Sequence, residues 1–170
     1  MTPILILVHP GSLCGSADMN LGRYEARSVR DGIRSDLESW TGPIIVIDGS
    51  LSDELAQYHV LGGAIDTAVR RAQSAGLIGM RVMGDDDSDF DQVAAVRKLF
   101  ADGVLNPAEH SPKVTGAWYH PEEDDVGCVN SVYETLLDLG FRPDVLDSAA
   151  RLEDEYDDAE EDDAEPHVAP

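Results

Sequence analysis

Apolar residues along this chain fall into two kinds of run. Ile4-Leu5-Ile6-Leu7-Val8 and Ile44-Ile45-Val46-Ile47 are short, continuous and largely β-branched, the pattern of strands buried on both faces of a parallel sheet. Between them Ala26, Val29, Ile33, Leu37 and Trp40 recur every three or four residues, which predicts one buried face of a helix over residues 23–40. Thr41-Gly42-Pro43 ends it. A second helix is expected after Asp48-Gly49, capped by Ser50 or Ser52, with Asp53 and Glu54 in its first turn. Leu55, Ile65, Ala68, Val69 and Ala72 make its apolar face, and Gly62-Gly63 in its middle reads as a kink, a break or a point of close packing.

The second half repeats the alternation. Residues 77–83 predict a weaker strand, and Gly84-Asp85-Asp86-Asp87 the loop after it. Ser88 or Asp89 caps a helix carrying Phe90, Val93, Ala94 and Phe100. Asn106-Pro107 and Ser111-Pro112 bracket a turn-rich connection, followed by a fourth strand over residues 114–119. Val129, Val132, Tyr133, Leu136 and Leu139 form one helical face that Gly140 stops, and Val145-Leu146 belong to a short fifth strand. Strands that alternate with helices imply right-handed βαβ crossovers. The fold class expected is therefore α/β, a three-layer Rossmann-like arrangement with a mainly parallel sheet of about five strands and helices on both faces.

Charge changes the picture at one end. Of the 34 acidic residues ten fall after Arg151, leaving 24 acids against 12 bases in residues 1–151 and a charge near −12 there, against −22 for the whole chain. Residues 152–170 hold too few apolar groups to offset the entropy of ordering. They are expected to be an acidic, disordered tail on a single domain of residues 1–151. Two lysines and ten arginines can hardly supply the basic face that phosphate-backbone binding requires, so direct nucleic-acid binding is not expected. The acid excess reads as solubility, or as a surface that docks a basic protein partner. No apolar run reaches the roughly 20 residues of a membrane span, and the start has no basic segment of a secretory signal. A cytoplasmic location without membrane contact follows as the expectation, with Cys14 and Cys128 reduced rather than bridged.

Candidate chemistry gathers after strands. Open parallel sheets bind ligands beyond the carboxyl ends of their strands. The first strand leads through His9-Pro10 to Cys14, and the fourth through His120-Pro121 to Cys128. If those two strands are neighbours, both histidines and both thiols share one crevice. Cys128 lies where loop becomes helix, and there backbone N–H groups favour an anion, can lower a thiol's pKa and can stabilise an oxyanion. It reads either as a nucleophile or as a small residue packing a helix start. His9 or His120 would serve as base, because histidine titrates near working pH, and Asp18 could orient one of them. Each also has a plainer reading, as a strand-end or loop residue. His9, Cys14, His120 and Cys128 suit zinc by type but lack close ligand spacing, so no metal is expected. The runs Glu122-Glu123-Asp124-Asp125 and Asp85-Asp86-Asp87 read as hydrated loop surface, with divalent-cation binding through oxygen the other reading. Gly11, Gly15 and Gly22 complete no phosphate or dinucleotide motif, and no cofactor is expected.

Val114-Thr115-Gly116-Ala117, Cys128-Val129 opening a helix, Leu139-Gly140-Phe141 and Val145-Leu146-Asp147-Ser148-Ala149 together resemble the C-terminal half of the isochorismatase-like cysteine hydrolases. The resemblance implies a Rossmann-like fold with Cys128 as nucleophile. In that family the first strand ends in an acidic base, where this chain has His9, and a catalytic lysine follows a central strand. Here the only lysines are Lys98 and Lys113, and neither matches. The connection from Gly116 to Cys128 is also several residues longer. Two functions are thus expected in competition: a hydrolase using Cys128 on a small amide or ester-like substrate, and a non-catalytic acidic protein engaging a basic partner. Homo-oligomerisation stays open.

Overall fold

The computed structural model describes residues 1–13, 20–48, 61–83, 91–122 and 127–152. Six strands and four helices alternate within them: β1 (Thr2–Val8), α1 (Arg23–Ser39), β2 (Ile44–Asp48), α2 (Gly62–Ser74), β3 (Gly79–Met83), α3 (Gln92–Ala101), β4 (His110–Tyr119), α4 (Cys128–Asp138), β5 (Asp144–Val145) and β6 (Ala150–Arg151). A 3-10 turn, Pro10–Leu13, follows β1. The sheet runs β3-β2-β1-β4-β5, with β6 pairing β4 further along, and all these pairs are parallel. Successive β1 residues point to opposite faces. Leu5 and Leu7 join the core under α1 and α2, whereas Ile4, Ile6 and Val8 join the one under α3 and α4. Three layers result, a Rossmann-like α/β fold.

The order reverses at β1. From there the chain winds outward through β2 to β3, then returns to place β4 on the other side of β1 and continues to β5. Seven consecutive residues of β4 pair with β1, from Thr2 opposite His110 to Val8 opposite Gly116. The strands approach so closely at the last pair that a Cβ on Gly116 would stand 2.0 Å from the Val8 carbonyl oxygen, and the Gly116 φ is +124°. Only glycine fits both constraints.

Helix faces follow the expected periodicity where burial decides it. Ala26, Ile33 and Leu37 of α1 are buried, as are Ile65, Ala68, Val69 and Ala72 of α2 and Val129, Val132 and Leu136 of α4. Arg71 reaches from α2 to donate to the carbonyls of Leu37, Glu38 and Trp40, groups that the end of α1 leaves without helical partners.

Three local expectations are corrected. Gly62 and Gly63 are the first residues of α2, compatible with a break among the readings given to that pair; the predicted caps Ser50 and Ser52, with Asp53, Glu54 and Leu55, lie outside the described residues. The cap of α3 is Asp91, whose carboxylate accepts from the Val93 N–H at 2.8 Å. Its buried face is Val96 and Leu99, while Ala94 and Phe100 are exposed. Ser111 and Pro112 belong to β4, not to the connection before it. Pro112 is tolerated inside a strand because the ladder to β1 is carried by alternate residues: the Thr2 N–H donates to Glu109 at 2.7 Å, and the Val114 carbonyl instead accepts from Leu146 on the β5 side. Pro112 shares the orientation of Val114, and β5 pairs only with Lys113 and Val114, so no ladder bond is lost. The strand pair at Ala150–Arg151 has no sequence expectation at all.

Gly116→Ala should cost about 3 kcal/mol or more, because a steric overlap and a left-handed φ act together. Urea unfolding of the two proteins checks it; an alanine variant of unchanged midpoint would mean that β1 and β4 do not meet this closely.

Candidate functional site

The adjacency on which the shared crevice depends is present: β1 and β4 are parallel neighbours, so the turns after both strands lie at the same end of the sheet. This is also the point where the strand order reverses, the place where such sheets bind ligands. His9 leaves β1 in a left-handed conformation, φ 45°, uncommon for a residue with a side chain. Two backbone bonds hold it there. Its N–H donates to the Ile47 carbonyl at 2.7 Å, and its carbonyl accepts from the Ser12 N–H at 3.0 Å.

His120 leaves β4, next to a cis peptide between Ala117 and Trp118, and is fixed from α4. The Asn130 side chain, only 4 % exposed, accepts from the His120 N–H at 2.9 Å and donates to the His120 carbonyl at 2.8 Å. A Cβ on Gly127 would sit 2.5 Å from the Trp118 carbonyl and 3.0 Å from the His120 imidazole carbon Cδ2. Gly127, at φ +97°, therefore lets the backbone just before Cys128 pass directly beside that imidazole. Asn130 and Gly127 tie the helix carrying Cys128 to the loop carrying His120. The sequence reading missed both, although a lone amide two places beyond the cysteine, among apolar neighbours, was a visible signal.

Cys128 is the first residue of α4 and a free, half-buried thiol. The helix has no side-chain cap, since glycine holds the cap position. Burial nevertheless pushes the Cys128 pKa up, opposite to the lowering expected of a helix end. The helix field is worth about 0.3–1 kcal/mol, whereas desolvation of a thiolate can exceed it several-fold. His9 moves the other way. Burial lowers its pKa, opposed in part by a hydrogen bond to the Gln92 side chain and by the nearby charge of Asp48. Both groups are thus biased toward their neutral forms.

Asp48, the last residue of β2, is buried at 3 % exposure, with Arg81 of β3 at 3.6 Å. It too escaped the sequence reading, although a carboxylate closing a buried strand satisfies the same rule that singled out His9 and His120. A further chain runs from Asp36 of α1 through Ser148 to Thr115 of β4, the last step at 2.8 Å, and anchors the segment between β5 and β6. Asp18 and Cys14 lie outside the described residues, as do Asp85, Asp86, Asp87 and Glu123, Asp124, Asp125; Glu122 is exposed. Among the described residues no three His, Cys, Asp or Glu side chains cluster as metal ligands, and no helix is long and apolar enough to cross a membrane. No protein-family model matches the chain, and neither a curated protein nor a solved structure matches it.

Two outcomes follow. Asn130→Ala removes both partners of the His120 backbone and should cost about 2–4 kcal/mol, with faster hydrogen exchange at the His120 amide; unchanged exchange would show that the clamp does not hold in solution. The His9 pKa lies lower folded than unfolded, so the unfolded chain binds more protons as pH falls below about 6.5. That contribution to stability is complete above about pH 6.5 and is lost on acidification toward the folded value. His9→Gln should flatten the slope of stability against pH in this window, measured by urea melts.

Proposed function

We propose that the chain is a small cysteine-dependent hydrolase of the isochorismatase-like kind, acting on a compact amide or ester in the crevice between the β1 and β4 turns. The observation that carries the reading is the parallel β1–β4 pairing, which sets His9, His120 and the start of α4 at one end of the sheet. The neutral bias of both thiol and imidazole favours general-base activation over a standing thiolate. His9 or His120 takes the Cys128 proton as sulfur bonds to the substrate carbonyl carbon, and the first-turn N–H groups of α4 face the developing oxyanion. The C–N or C–O bond breaks, the imidazolium gives its proton to the leaving group, and water hydrolyses the thioester.

One observation favours a second reading. The net charge of −22, with ten of the 34 acidic residues after Arg151, suits a non-catalytic acidic protein that docks a basic partner through its body and tail.

Hydrolysis of p-nitrophenyl acetate by the full chain separates the two. Cys128→Ser should lower its rate about a thousandfold, and removal of residues 152–170 should leave it intact. Equal rates in wild type and Cys128→Ser, with binding of a lysine-rich peptide that the tail deletion abolishes, would replace the first reading by the second.

A further inference from the structure

Two histidines follow the neighbouring strands β1 and β4, and the structure treats them differently. The bonds from Asn130 to His120 are made to its backbone; they shape the loop and leave the imidazole tautomer to other contacts. His9 is held through its side chain. The register that pairs Val8 with Ile47 continues one step to bring Asp48 alongside His9, and the 2.7 Å bond from the His9 N–H to Ile47 locks that step. Gln92, the first residue of α3, holds the imidazole by its side chain. The Asp48 carboxylate is 3 % exposed, and a buried carboxylate is costly unless something compensates its charge. It pairs with Arg81 of β3 at 3.6 Å, and Arg81 also meets Asp66 of α2 at 3.4 Å.

We infer that Asp48 is the positioning residue for His9, fixing the tautomer and orientation in which this imidazole accepts the Cys128 proton. The inference rests on the hydrolase reading above and completes it with the third member of a Cys-His-Asp arrangement, supplied by the strand next to the base. Carboxylates in that place hold an imidazole with one nitrogen protonated and the other open, and stabilise the imidazolium once it forms. The charge of Asp48 already opposes the loss of the His9 proton that burial favours. Among the described residues the charged groups are Asp48, Arg81 beside it and Asp66 beyond Arg81.

NMR titration of the His9 ring nitrogens in the full chain tests the pair without any substrate. Asp48→Asn should move the His9 midpoint down and mix its tautomers, and Asp48→Glu should restore both in part. Arg81→Gln removes a cation from the neighbourhood and should move the midpoint up; this variant leaves Asp48 in place and decides the matter if Asp48→Asn does not fold. A purely structural Asp48, tying β2 to β3, would leave the midpoint unmoved in both variants and overturn the inference. With p-nitrophenyl acetate, Asp48→Asn should lower kcat about a hundredfold with KM little changed, and the acid limb of the pH profile should follow the His9 midpoint. If His9 responds as expected but Cys128→Ser hydrolyses like wild type, the hydrolase reading fails while the Asp48–His9 pair stands. If His120→Gln rather than His9→Gln abolishes hydrolysis, the choice of base is overturned instead.

Discussion

Among the described glycines the one with least room for a side chain is Gly116 of β4, which packs against the Val8 carbonyl of β1. Seven register pairs lead up to that point, and what lies beyond it depends on them. A parallel ladder aligns strand ends, so the residue after Val8 and the turn after Tyr119 emerge at the same edge of the sheet. A one-residue slip would reverse the side-chain faces of β4 and carry Val114 away from the core that Ile6 and Val8 fill. Hydrophobic burial on the two faces therefore sets the geometry of the polar end.

At that end, helix starts and loops are held by amides and glycines more than by charge. Asn130 closes two hydrogen bonds on one residue of the β4 turn, and Gly127 permits a backbone to pass beside an imidazole where any Cβ would collide. These contacts are short and local, in a protein whose net charge is −22. Desolvation is the largest influence on two ionisable groups there. It moves the Cys128 thiol and the His9 imidazole in opposite directions, and both shifts favour the uncharged form.

Sequence patterning failed in specific places for specific reasons. Pro112 was read as a turn because proline lacks an N–H, but the cost of that lack depends on which neighbour the position faces, and here the facing strand has not yet begun. Phe100 looked like core by type; it remains 37 % exposed and packs in an edge-to-face pair with Phe141. Asp48 was passed over because it closed a run of four apolar residues and read as the polar stop of a strand.

By itself the sequence determined the layers. Continuous β-branched runs can be satisfied only by burial on both faces, and helices with one apolar stripe must lie on such a sheet, so the alternation of the two patterns specifies a parallel α/β fold and the strand ends at which its polar residues gather. Which strand ends face each other was decided by tertiary structure alone. Local patterning does not encode whether β4 returns beside β1 or follows β3; that choice comes from the packing of distant faces. With it came His120 and the start of α4 at the end of the sheet where His9 lies, while the separate pairing of β1 with β2 brings Asp48, 39 positions from His9 in the chain, to the next strand over.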